Sequence, residues 1–141
     1  VRHQADCLRG IGGNSSRHWH AMGGSSKIRI VIVGAGTVGS SLLELLKSER
    51  GVEVIGITDI DPQASGLRLA QLLGIPYSTD TRDLLARHRP DLIINATNDP
   101  AMETDLRQHG PKHAEVLSQM ASRLLWGLAQ HERELRDHEH A

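Results

Sequence analysis

Phenylalanine is absent from this 141-residue chain, and aromatic residues make up only 2% of it. Any core must therefore be built from Leu, Ile, Val and Ala, which suits parallel strands covered by helices on both faces. Cysteine occurs once, as Cys7, which excludes a disulfide framework and a four-cysteine zinc site. Charge of one sign is also missing: 16 Lys and Arg stand against 17 Asp and Glu, a net of −1. That balance argues against a surface that holds nucleic acid by bulk electrostatics. No uninterrupted apolar run approaches the ~18–20 residues of a membrane span, so a soluble, cytoplasmic protein without a membrane partner is expected. The length suits one domain.

What charge there is lies unevenly. Residues 1–27 carry Arg2, Arg9, Arg17 and Lys27 against Asp6, a net of +3, and the remainder carries −4. The first 26 residues also hold five of the 14 glycines and no apolar periodicity, so they are expected to form a disordered basic tail. No apolar stretch follows their basic residues as a secretory signal requires. His18-Trp19-His20 is a candidate metal or tag feature, outweighed by an unstructured polar reading.

From Lys27 onward the punctuation is regular. Ile28–Val33 is a β-branched strand ending at Gly34, and Leu42, Leu43, Leu45 and Leu46 mark a helix over 40–47. Strands are predicted at 52–58, 76–77, 92–96 and 114–117. The intervening helices fall at 66–73, 80–88 and 101–108, and a long helix covers 118–139. Gly74 is placed to close its helix and Asp80 or Thr81 to cap the next one. This strand–helix alternation is the βαβ rhythm of an α/β, Rossmann-type open parallel sheet of about five strands, with helices on both faces and order 3-2-1-4-5. The folded domain is expected over 27–126, with a charged helix end at 127–141.

Gly34-Ala35-Gly36-Thr37-Val38-Gly39 reads G-x-G-x-x-G directly between a strand and a helix. In that setting Gly34 permits the tight turn, Gly36 lets backbone approach a pyrophosphate, and Gly39 allows close helix–strand packing. The anion would rest on the free N–H groups of the helix that begins with Thr37 and Val38. Asp59 lies 20 residues after Gly39, at the end of the second strand. A carboxylate there accepts from both adenosine ribose hydroxyls and repels a 2′-phosphate. Ile60-Asp61-Pro62 offer no arginine for that phosphate, and Arg68 should lie mid-helix. NAD is thus favoured over NADP. The plainer reading is that Asp59 only ends a strand and Asp61 caps a helix.

Residues 27–100 resemble the NAD(P)-binding domain shared by dihydrodipicolinate reductase, homoserine dehydrogenase and the glucose–fructose oxidoreductase group. The likeness is carried by IRIVIVGAGTVGSSLLELL, VEVIGITDIDP, LAQLLGIPYSTD and DLIINATNDP. By that resemblance Ala96, Thr97 and Asn98 lie beside the nicotinamide half of the cofactor, and Ile60 joins Asp59 on the adenosine side. Those enzymes carry a substrate domain, whereas 41 residues follow Pro100 here and none resembles one. His109 and His113 flank Gly110-Pro111 and are expected to be exposed loop histidines rather than catalytic groups. No catalytic residue and no metal ligand is assigned, so the chain is read as a cofactor module of oxidoreductase ancestry that is not catalytic alone.

The last helix suggests another role. Leu117, Ala121, Leu124, Leu128, His131 and Leu135 follow the 4-3-4-3-4 spacing of a pairing seam. Met120, Leu124, Leu125 and Trp126 are candidates to dock on the sheet. Some bacterial signalling proteins carry a similar Rossmann-type domain ahead of a sensor kinase or activator region, joined by such a helix. A regulatory input domain, a homodimer through this helix, and an interaction domain without ligand are the alternatives. The nucleotide-sensing domain of potassium channels fits less well, because Ser78-Thr79-Asp80 replaces its usual Gly-Asp-Ala.

Overall fold

A computed structural model describes residues 27–140, with side chains through residue 135. The expected basic tail, Cys7 and His18-Trp19-His20 lie outside the described residues. Five strands and five helices alternate among them: β1 (Ile28–Val33), α1 (Thr37–Leu46), β2 (Val52–Thr58), α2 (Ser65–Leu73), β3 (Tyr77–Ser78), α3 (Thr81–Arg87), β4 (Leu92–Asn95), α4 (Pro100–His109), β5 (Glu115–Leu117) and α5 (Gln119–His140). The strands form one sheet in the order β3-β2-β1-β4-β5. Every pairing is parallel. The 3-2-1-4-5 expectation holds.

β1 is the central strand, and its β-branched residues are divided between two cores. Ile30 and Ile32 point into one, with Leu42, Leu43 and Leu46 of α1, Leu67 and Ala70 of α2, and Ile94 of β4. Val31 and Val33 point into the other, with Leu84, Leu85, Ile93 and Leu106 beneath α3 and α4. Strands covered on both faces carry apolar side chains at every position, which is why IRIVIV and LIIN do not alternate. Each fully buried Leu or Ile contributes ~1.5–3 kcal/mol relative to exposure, so aliphatic side chains suffice without Phe.

The helix ends agree with the sequence to within a few residues. Asp80 caps α3 by accepting from the Asp83 N–H at 3.1 Å, and Asp99 caps α4 through the Ala101 N–H at 3.0 Å. Asp61 does not cap α2: its carboxylate accepts from the Gln63 N–H at 2.9 Å, inside the turn before that helix. The reason is the start of α2 at Ser65, one residue beyond the N-cap position Ala64 and too far from Asp61.

α5 corrects a second detail. Leu125 and Trp126 pack against the first core, as expected, but Met120 and Leu124 are 81% and 65% exposed. One face of a helix covers about a third of its circumference, and 125 and 126 already claim the inward side. Leu124, Leu128 and Leu135 are all exposed, so the outer stripe is apolar.

Candidate functional site

Register places β1 and β4 side by side, with Val33 opposite Asn95, so both strands end at the same height. Ligands in open α/β sheets bind beyond the strand C-termini where the chain order reverses, and that point lies between these two strands. The glycine turn fills one wall. Gly34 has φ +103°, a conformation that L side chains rarely adopt, and a Cβ there would stand 2.8 Å from the Ala96 backbone. Its N–H donates to the Thr58 carbonyl at 2.7 Å. Gly39 is closer still: a Cβ would lie 1.8 Å from the Gly34 carbonyl oxygen, so α1 meets β1 with no room between.

Gly36 is the opposite case. A Cβ would meet nothing within 4 Å. It is also the N-cap of α1, with no side-chain cap and no acidic residue in the first turn. Gly36 and Thr37 are exposed, so the uncapped first turn opens to solvent at the positive end of a ten-residue helix. That arrangement fits the diphosphate of a dinucleotide, which needs close backbone approach and exposed donors.

Asp59 closes the turn from the β2 side. One carboxylate oxygen accepts from the Ala35 N–H at 2.8 Å and the other from the Asp61 N–H at 2.9 Å. Each oxygen has two lone pairs, so one on each stays available to a ribose diol. Ala35 is held from its other side as well, its carbonyl accepting from the Gly66 N–H at 2.8 Å. Gly66 can approach because a Cβ there would collide with Ala35 at 2.8 Å. Next to Asp59, Ile60 is 84% exposed, an apolar surface beside the carboxylate. Arg68 is mid-helix in α2 and donates to Gln63 at 2.7 Å.

On the β4 side, Asn95 is fully buried, and its Oδ1 accepts from the Thr97 N–H at 3.1 Å and the Thr97 hydroxyl at 2.6 Å. This bond pair turns the chain out of the strand and sets Ala96, Thr97 and Asn98 along the crevice. Asn98 is then gripped by α5, its Oδ1 accepting from Arg123 at 2.7 Å and Gln119 at 3.4 Å. The ten expected site residues thus cluster at the C-terminal edge of the sheet: the turn, Asp59 and Ile60 toward β2, and 96–98 over β4.

Sequence reasoning missed Gly66, Asn95, Gln119 and Arg123. Asn95, a polar residue ending an apolar strand, was the one with a visible signal. The contacts of Gly66 and Arg123 cross 31 and 25 residues and have no local signature. His109 and His113 are exposed and line a cleft of about 650 Å³ between α3 and α4, with Arg82, Arg89 and Asp105. Among the described residues no group of three or more His, Cys, Asp or Glu is placed to hold a metal, and no helix is long and apolar enough to cross a membrane.

Comparison with known proteins agrees with this fold. Residues 28–124 match the model of the GFO/IDH/MocA group, described as an oxidoreductase family with an NAD-binding Rossmann fold. Acetaldehyde dehydrogenase of Chloroflexus aurantiacus is 34% identical over 89 residues, covering 60% of this chain and 29% of that enzyme. Propanal dehydrogenase (CoA-propanoylating) of Mycobacterium tuberculosis is 35% identical over 93 residues, covering 64% of this chain and 29% of its own length. The crystal structure of GenD2 from gentamicin A biosynthesis, in complex with NAD, superposes with a TM-score of 0.56 at 23% identity. It matches over 77% of this chain and 33% of GenD2, a likeness of fold. This chain therefore spans about 29% of the length of those two dehydrogenases.

Proposed function

The chain belongs to the GFO/IDH/MocA oxidoreductase family through its NAD-binding Rossmann fold, and from that membership we propose that the glycine turn and Asp59 form a dinucleotide site that prefers NAD. The observation that carries the reading is Gly36, open above the uncapped first turn of α1. In this reading the N–H groups of Thr37, Val38 and Gly39 bind the pyrophosphate, and Asp59 accepts from the adenosine ribose hydroxyls beside Ile60. Ala96, Thr97 and Asn98 flank the nicotinamide half. The chemistry that NAD supplies in such a site is hydride transfer. Binding and orientation of the cofactor are the tasks of the residues named here. Preference over NADP follows because a 2′-phosphate would face the Asp59 carboxylate while Arg68 is turned to Gln63. Aldehyde oxidation of the kind named for the dehydrogenase relatives is the activity this cofactor half would serve.

Thermal-shift titration with NAD, NADH, NADP and NADPH tests the proposal. A ligand at ~100 times its Kd adds ~2.7 kcal/mol to stability. A rise with NAD and NADH exceeding that with the phosphorylated pair is expected; no rise with any of the four refutes the site.

A second reading is favoured by the exposed Leu124, Leu128 and Leu135. In it α5 is a joining helix that pairs with a second copy of the chain, and the NAD site serves as a regulatory input.

A further inference from the structure

α1 and α5 both begin at the cofactor edge of the sheet, after β1 and β5, and run back along the same face. Arg133 of α5 reaches Glu44 of α1 at 3.6 Å, which fixes their relative height. Glu44 lies seven residues beyond Thr37, roughly 10 Å of helix rise, and Arg123 lies ten residues before Arg133, roughly 15 Å. Arg123 therefore stands above the first residue of α1, at the height of the glycine turn. A second, independent observation puts it there too: its guanidinium donates to Asn98, in the loop that leaves β4 at that same edge.

Arg123 is exposed, and among the described residues its guanidinium bonds only this neutral carbonyl oxygen. Glu103, the acid close by in α4, is engaged elsewhere, accepting from the Gln119 N–H at 3.2 Å and facing Arg107 at 3.9 Å. A guanidinium has five donors in a planar fork that matches phosphate oxygens. One of its amines is used on Asn98, in the loop that leaves β4, and among the described residues no other bond of the fork is seen.

We infer that Arg123 is a binding residue for the cofactor's diphosphate, reaching across from α5 to the phosphate on the nicotinamide side, with Asn98 and Gln119 orienting it. This rests on the NAD reading above and extends it: the backbone N–H groups of α1 take one side of the diphosphate, and a side-chain cation takes the other. The last helix then becomes part of the cofactor site instead of a cover for the sheet.

The test measures binding to the full chain by calorimetry, with NAD, ADP-ribose and adenosine as probes, for the parent, Arg123→Gln and Arg123→Lys. Arg123→Gln is expected to weaken NAD and ADP-ribose by ~10- to 100-fold, the range for a hydrogen bond to a charged group. It should leave adenosine unchanged and flatten the loss of NAD affinity with added NaCl. Arg123→Lys should restore part of the affinity. Unchanged NAD affinity in Arg123→Gln overturns the inference while leaving the NAD site standing. An equal loss of adenosine binding also overturns it, because the residue would then act by shaping the β4 loop. Failure of the parent to bind NAD overturns both readings.

Discussion

Two glycines of one turn should respond to the same substitution in opposite ways. In Gly39→Ala the new Cβ falls 1.8 Å from the Gly34 carbonyl oxygen and 2.8 Å from its carbon. Carbon and oxygen do not approach closer than ~3 Å without repulsion, so α1 must move outward by about 1 Å. Both partners are backbone, and neither can rotate away. Lifting α1 loosens Leu42, Leu43 and Leu46 in the first core. Overpacking costs ~1–3 kcal/mol, and this case sits at the upper end. The better helix propensity of Ala returns up to ~1 kcal/mol, leaving a net loss of ~2 kcal/mol. For a domain of this size that lowers Tm by roughly 8 °C. In Gly36→Ala the Cβ meets nothing, and φ is −78°, which alanine adopts readily. Losing a glycine N-cap costs a few tenths to ~1 kcal/mol, and the smaller unfolded-state entropy returns ~0.4–1 kcal/mol, so Tm should barely move. Its Cβ nevertheless occupies the approach to the α1 donors. Differential scanning fluorimetry with and without NAD reads both effects. Gly39→Ala should melt early, and Gly36→Ala should melt with the parent yet lose the NAD shift. A Gly36→Ala variant with a full NAD shift would refute the diphosphate position, and a Gly39→Ala variant melting with the parent would refute the packing argument.

Asp59→Ser removes the ribose acceptor and shortens the tether to Ala35, so it should narrow the gap between NAD and NADP affinity and lower unliganded Tm by a few degrees, about 1 kcal/mol for a lost backbone-to-carboxylate bond; unchanged selectivity in a binding titration would count against the ribose role. Asn95→Ala takes the acceptor from the Thr97 N–H and hydroxyl, and a loss of ~1–2 kcal/mol is expected in chemical denaturation, together with weaker NAD binding as the 96–98 segment loosens. The cost is held below the full penalty because the buried Asn95 Nδ2 has no partner to lose. Deleting residues 127–141 removes Leu128 and Leu135 of the outer stripe and the half-exposed Arg133–Glu44 pair, worth at most ~1 kcal/mol. Light scattering should then show the full chain associating and the shortened one monomeric; a monomer in both would remove the pairing role of α5.

The sheet was legible because its signals are local. β1 and β2 are β-branched runs stopped at Gly34 and Asp59, β4 is an aliphatic run, and strand order follows once crossovers are right-handed. The glycine turn and the place of Asp59 beside it were legible for a related reason: the two occupy fixed offsets along one βαβ unit. Asp61, a helix cap only in the plainer reading, closes an Asx turn onto its own Gln63 instead, and the shorter loop wins. α5 misled. Its heptad spacing is real, but spacing states which residues share a face and leaves open which face turns inward. Leu125 and Trp126 decided that by fitting the gap beside α1, which no periodicity in α5 encodes.

All five described helices follow a strand of the parallel sheet and start at its C-terminal edge, and each carries a positive dipole end there. α3 and α4 neutralise theirs with Asp80 and Asp99, whose carboxylates already take an N–H of the first turn. α1 has no such group, which leaves its first turn without a negative partner of its own. The acid that belongs to this turn, Asp59, instead grips Ala35 from the β2 side, where it fixes the loop without occupying the α1 donors. α2 is also without a side-chain cap, but the Gly66 N–H of its first turn is already given to the Ala35 carbonyl, so an anion at the glycine turn would meet the α1 donors, with Asp59 on the β2 side of them. Arg123 then supplies, from the far side of the crevice, the positive charge that a doubly charged diphosphate needs beyond one half-charge of dipole.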